Sequence, residues 1–236
     1  MAIRVANPSD LSNVLEVVLS ALSYDPCWDY RYQYRHQYPE DNLRYTKHIF
    51  QLYIDPRYDD WRVMVAEAPS LENPSVTKIV AVAVWDVTYI NKRKHGRDYE
   101  TKDPVFEVDR AGGATRRDAN PERMKVSRDV FARKRKKRFH DAYGDSQIYL
   151  HVLATHADYQ RRGYGSVLCR WGMATAKDNG LAVCLMASPM GFLLYSHLGF
   201  KVLGNEIIQV PGEEEEVRLR SMVLELEENE EDRELL

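Results

Sequence analysis

Cysteine is scarce in this chain of 236 residues: Cys27, Cys169 and Cys184 are three, widely spaced and never in a C-x-x-C pair. That excludes a disulfide framework and a cysteine zinc site as organising features, and suits a reducing compartment. Long apolar runs are missing as well. The longest, Ile79 to Trp85, falls far short of the roughly 20 residues a membrane helix needs. The opening "MAIRVANPSD" has neither a basic segment nor an apolar one behind it, so no secretory signal is read and the expected location is cytoplasmic, with the nucleus open. Charge of one sign is not in excess either. The formal net charge is −3, so neither nucleic acid nor a membrane is expected as a partner. No Ser-His-Asp spacing and no cluster of metal-ligating residues stands out, and no metal is expected.

What is present is the mixture of an ordinary globular protein, 44% hydrophobic and 29% charged, in a length that suits one large domain or two small ones. The charge is unevenly spread. Lys92 to Arg138 holds 17 Lys/Arg against 8 Asp/Glu, and Asn205 to Leu236 holds 3 against 12. Such asymmetry marks regions to search for contacts. The run "RKRKKR", Arg133 to Arg138, reads as a solvated helix face paired with the acidic C-terminal stretch; a nuclear import signal or a nucleic-acid patch is the alternative, with no nucleic-acid motif beside it.

The pattern of elements is mixed. "IRVA" reads as a strand and Asp10 to Leu22 as a helix, with Leu11, Val14, Leu15, Val18, Leu19 and Leu22 at helical spacing. A Tyr- and Trp-rich stretch follows, and a second helix is expected from about Asn42 to Ile54. "WRVMVAEA" and "KIVAVAVWDV" read as a hairpin around "PSLENPSVT". Asn91 to Asp145 is a long polar excursion with one expected helix, capped by Asn120 with Pro121 in its first turn. "SQIYLHVLAT" is a strand, "GSVLCRWGMATAKDNG" a helix stopped by Asn179-Gly180, "LAVCLMA" a buried strand, "PMGFLLYSHLGF" a short helix, and "FKVLGNEIIQV" with "EEVRLRSMVLEL" a closing strand pair. With no linker in the middle, this describes a single α/β (or α+β) domain over residues 1–226, carrying a polar insertion at 91–145, with an acidic tail at 227–236.

The stretch Gln160-Arg161-Arg162-Gly163-Tyr164-Gly165-Ser166 lies between a strand and a helix, where main-chain N–H groups point along the axis without internal partners. Those groups and the helix dipole together make an anion site. Gly163 and Gly165 remove side chains that would block a pyrophosphate, and Arg161 and Arg162 add charge at its rim. The spacing is neither that of a dinucleotide fingerprint nor of a Walker loop.

This stretch resembles the Gln/Arg-x-x-Gly-x-Gly/Ala motif of the GCN5-related N-acetyltransferase (GNAT) superfamily. The superfamily's second signature appears as Leu194-Tyr195 and Gly199-Phe200 in "LLYSHLGF", in the right order and with a helix and a strand between. Within the superfamily, "YLHVLATHADYQRRGYGSVL" and "VCLMASPMGFLLYSHLGF" are similar to the arylalkylamine (serotonin-type) N-acetyltransferases. Of that group's His-x-His pair, the second histidine falls on His151 and the first on Tyr149. The resemblance implies a mostly antiparallel twisted sheet with two splayed parallel central strands, flanked by helices, and acetyl-CoA bound between the splayed strands as acyl donor. It implies that Leu153, Ala154 and Thr155 hold the pantetheine arm and that Arg161, Arg162, Gly163, Tyr164, Gly165 and Ser166 hold the pyrophosphate. It places Tyr195 by the departing thiolate and His151 in a proton-accepting position.

Trp28, Tyr30, Tyr32 and Tyr34 supply aromatic surface either for an amine pocket or for packing the first helices onto the sheet. The expected function is acetyl-CoA-dependent acetylation of a small primary amine, aromatic amines included. A lysine acetyltransferase acting on basic peptides and a silent acyl-CoA-binding regulator are the alternatives. The oligomeric state is left open.

Overall fold

The structure, a computed structural model, describes residues 2–96 and 98–225; the expected acidic tail lies outside them. Seven strands form one sheet: β1 (Ala2–Val5), β2 (Trp61–Pro69), β3 (Thr77–Asp86), β4 (Gln147–Thr155), β5 (Ala182–Ala187), β6 (Lys201–Ile208) and β7 (Val217–Leu224). Their order is β1-β2-β3-β4-β5-β7-β6. Every neighbouring pair is antiparallel except β4 and β5, which are parallel.

Strand alternation sorts the core into two layers. In β2 and β3, Val63, Val65, Val82 and Val84 pack with α1 (Leu11–Leu22) and α3 (Pro39–Ile54) on one face. Met64, Ala66, Ala81, Ala83 and Trp85 face the opposite layer, with α8 (Tyr164–Asp178) and α9 (Phe192–His197). From Ala81 to Trp85, period-2 alternation thus puts Val82 and Val84 on one side and Ala81, Ala83 and Trp85 on the other. The small residues let α8 come close: a Cβ on Gly172 would lie 2.2 Å from the Trp85 ring. Eighteen buried residues' worth of such contacts form the larger layer, and at about 1.5–3 kcal/mol per large apolar side chain their burial dominates the fold.

The aromatic stretch after α1 contains a short helix, α2 (Pro26–Arg31), that periodicity did not reveal. The insertion is far more helical than expected. It carries α4 (Thr88–His95), α5 (Pro104–Arg110) and α6 (Pro121–Arg135), with a π turn over Lys136–His140 and a last short turn, α7 (Asp141–Tyr143). Asn120 caps α6 as its sequence implies, accepting from the Glu122 and Arg123 N–H groups. The basic run is not a free solvated face. Lys134 and Arg138 both pair with the fully buried Glu206 of β6, Arg135 with Asp86, and Lys136 with Asp141. Its cations dock the insertion onto the sheet. No helix of the described residues is long and apolar enough to cross a membrane.

Candidate active site

The parallel pairing of β4 with β5 runs only from Gln147–Ala182 to Leu150–Leu185. Both strands continue beyond it, β4 to Thr155 and β5 to Ala187. Each keeps its outer neighbour, β3 or β7, so a gap opens between them in the middle of the sheet.

His151 stands at that point. Val84 pairs with Val152 and Trp85 with Leu150, which leaves His151 as the extra residue of a β-bulge. The sequence pattern puts Leu150 and Val152 together on the face opposite His151, and the bulge corrects this. Leu150 and Leu153 pack into the α8–α9 layer, whereas Val152 and Ala154 pack with α1 and α3. The His151 ring shares that second face, 5.7 Å from the Tyr53 ring, 5.2 Å from Trp61 and 6.3 Å from Tyr149. It is exposed although it lies on a central strand, so the covering layer is open above it. Desolvation by the surrounding protein, followed by the nearby Arg135 charge, pushes its pKa down to about 4. At neutral pH it is an uncharged imidazole.

Tyr195 belongs to the other layer. Its ring packs edge-on to Phe200 at 5.8 Å and is 7% exposed. A Cβ on Gly191 would lie 2.7 Å from Tyr195 Cε2, so this glycine is what lets the phenol sit there. Burial, with smaller contributions from Cys169, Tyr149 and Asp25, raises its hydroxyl well above the ordinary tyrosine value. It therefore stays a donor at any working pH. His151 and Tyr195 lie on opposite faces of the sheet.

Beyond Thr155 the chain is pinned before it turns. Ala157 N–H donates to Ser20 Oγ, Leu71 N–H donates to the Tyr159 hydroxyl, and Gln160 Nε2 donates to the Thr155 carbonyl. Arg161 has φ +61°, the one non-glycine residue with positive φ among the described residues, and Gly163 has φ +88°. This costly backbone path leads into α8, whose first internal bond runs from Val167 N–H to the Gly163 carbonyl. The N–H groups from Arg161 to Ser166 have no partner among the described residues. Consecutive main-chain donors with left-handed residues between them form an anion nest.

Of the aromatic residues expected near an amine, Tyr30 is used in packing. It is 2% exposed, lies beneath the Arg123 guanidinium, and accepts from the Val210 N–H on the β6–β7 side. Trp28 and Tyr32 stack 4.4 Å apart against Ala119 and Met124; Tyr34 is half-buried and donates its N–H to the Asp118 carbonyl. The rings beside His151 are instead Tyr53 and Trp61, which the sequence does not single out. In a helix and at a strand start, each reads as ordinary core. Arg135 was missed too. It comes from α6, pairs with Asp86 at the end of β3, and lies 4.4 Å over the Tyr149 ring. The three cysteines are buried and unpaired, with burial pushing each thiol up to about 12, which leaves them inert fillers.

Residues 134–200 match the family described as "Acetyltransferase (GNAT) family". Over 215 residues the chain is 24% identical to an acetyltransferase of Stachybotrys chartarum, covering 90% of this chain and 84% of that protein. The fold is that of solved acetyltransferases. One is a "histone acetyltransferase HPA2 and related acetyltransferase" of Corynebacterium glutamicum, with TM-score 0.58, 22% identity, and 97% and 98% of the two chains covered. Another is the PaiA N-acetyltransferase of Thermoplasma acidophilum in complex with coenzyme A, with TM-score 0.50, 15% identity, and 96% and 100% covered.

Proposed function

We propose that this chain, whose residues 134–200 match the GNAT acetyltransferase family, moves the acetyl group of acetyl-CoA directly onto a small primary amine. The observation that carries the reading is the gap in mid-sheet, with an imidazole where the strands part and an anion nest after β4.

The residues fit acetyl-CoA. The N–H groups from Arg161 to Ser166 would hold its pyrophosphate, and the edge of β4 freed by the splay, Leu153 to Thr155, its pantetheine arm. Acetyl-CoA supplies a thioester-activated acetyl group. The amine nitrogen forms a bond to the acetyl carbon as the carbon–sulfur bond breaks; the nitrogen gives up one proton and the thiolate takes one.

Magnitudes then assign roles. An alkyl ammonium with a pKa near 10 leaves about one molecule in a thousand neutral at pH 7, a cost of about 4 kcal/mol. An imidazole with a pKa of about 4 does not strip that ammonium, a step about 8 kcal/mol uphill. His151 instead accepts a hydrogen bond from the neutral amine and takes its proton as the new bond makes the nitrogen acidic, its exposed face leading that proton to water. Tyr195, raised above the ordinary phenol, does not surrender its proton to a thiolate of pKa about 8.5. It stabilises that thiolate by donating a hydrogen bond. The Leu153 N–H is the proposed oxyanion donor, and the Tyr53 and Trp61 rings offer apolar walls to the acceptor.

The test is thiol release from acetyl-CoA with arylalkylamines, polyamines, amino sugars and a lysine-rich peptide. Turnover with small amines, lost in Tyr195→Phe while acetyl-CoA still binds, supports the reading. Turnover on the peptide alone, or an unchanged rate in Tyr195→Phe, overturns it.

A further inference from the structure

Helices α2 and α6 pack against each other, and each contributes an arginine, Arg31 and Arg135. Arg135 is neutralised by Asp86. Arg31, the last residue of α2, has no such partner. Its Nε donates to the Cys27 carbonyl at 3.0 Å, and its guanidinium carbon lies 5.4 Å from the Tyr32 ring, 6.0 Å from Trp28 and 5.9 Å from Phe131. Its terminal nitrogens make no ion pair or hydrogen bond among the described residues. The other half-buried or buried arginines of these segments all have carboxylates: Arg35 with Asp29, Arg116 with Asp118, Arg123 with Glu213, Arg138 with Glu206. Holding a guanidinium half out of water without a counter-charge costs free energy, and three aromatic rings fix it in one place at that cost.

That place belongs to the site. Phe131, which Arg31 contacts, is one helical turn from Arg135 on α6; Arg135 covers Tyr149, and Tyr149 neighbours His151.

We propose that Arg31 recognises an anionic group, a carboxylate or a phosphate, on the acceptor, so that the preferred acceptor is a small primary amine carrying a negative charge. The inference rests on the acetyltransferase reading above. A planar guanidinium offers two parallel N–H donors to either group. Asp86 answers Arg135, so the charge left for an acceptor to meet at Arg31 is positive, and a lysine-rich acceptor would repel it.

The experiment compares matched acceptors: an α-amino acid, its decarboxylated amine, and an amino-alkyl phosphate with its parent amino alcohol. Each is assayed for kcat/KM with the wild type, Arg31→Met and Arg31→Lys, with acetyl-CoA binding by calorimetry as the check on folding. The expected result is a wild-type preference of about 10- to 100-fold for one anion-bearing acceptor over its counterpart without the anion. Arg31→Met collapses that ratio through KM, and Arg31→Lys keeps much of it. The pair showing the preference tells carboxylate from phosphate. Equal or better turnover of the counterparts without the anion, or an unaltered ratio in Arg31→Met, overturns the role of Arg31 while leaving the acetyltransferase reading in place. No thiol release with any acceptor overturns both.

Discussion

Tyr195 sits with its ring sealed against Phe200 and with Gly191 beneath its edge, so its donor is aimed by packing rather than by a hydrogen-bond partner. Replacing it by phenylalanine is expected to lower kcat by about 100-fold, the cost typical of one lost donor to a developing anion, with the Kd for acetyl-CoA unchanged. Gly191→Ala makes the same point without touching the phenol: the added Cβ, at 2.7 Å, forces the ring aside, and kcat falls along with Tm. His151 makes a different expectation. Desolvation by the surrounding protein, followed by the Arg135 charge, lowers its pKa from 6.5 to about 4, so the folded protein binds its proton less readily than the unfolded chain does. The associated stability is complete above pH 6.5 and is lost as pH falls toward about 4. His151→Gln is expected to flatten the fall of the urea midpoint across that window. An equally steep fall in the variant would show that the imidazole is not desolvated.

The elements that carry the site differ in how plainly the sequence announces them. Helices α1 and α8 and the β2–β3 hairpin are long and periodic, and their boundaries are legible to within a residue or two. Helices α2 and α5 have six and seven residues, too short for a 3.6-residue period to stand out. Their start signal is nonetheless written: Asp25-Pro26 and Asp103-Pro104 repeat the cap-then-proline pattern that reveals α6 at Asn120-Pro121. The bulge at His151 has no such signature, because one extra residue in a strand alters register without altering composition. The loop motif and Tyr195 stand out in the chain as a residue pattern, whereas the placing of Tyr53 and Trp61 beside His151 and of Arg135 over Tyr149 emerges only from tertiary pairing. Gly163, read first as a gap for a phosphate, has a second reason to be glycine at φ +88°. Gly163→Ala is expected to cost about 1–2 kcal/mol, a fall in Tm of roughly 2–8 °C for a chain of this size, and to raise the KM for acetyl-CoA. A shift in Tm without a change in KM would separate the turn from the anion nest.

At the scale of the whole molecule, ion pairs fasten the insertion to the rest of the fold, and the most buried of the carboxylates outside it is Glu206. Glu206 is fully buried on β6 and accepts from Arg138 Nε at 2.9 Å and Ser221 Oγ at 3.0 Å, with Lys134 on its other oxygen. Burial works to raise its pKa, and the bonds from Lys134, Arg138 and Ser221 outweigh it, so the pKa lies below 4.5. Its contribution to stability is therefore present above pH 4.5 and lost below it. Removing one member of such a buried set leaves charges without counterparts, at about 3 kcal/mol; Lys134 and Arg138 retain some exposure, which keeps the figure at the low end. Glu206→Gln is thus expected to lower Tm by roughly 6–12 °C. The same helix α6 brings Phe131 to Arg31 and Arg135 to Tyr149, so the variant should lose acceptor kcat/KM by tenfold or more. The loop from Arg161 to Ser166 is anchored instead on Ser20, Leu71 and Thr155, and acetyl-CoA binding should stay within twofold of wild type. Equal loss of affinity for both substrates would mean that the insertion supports the whole sheet and not the acceptor side alone.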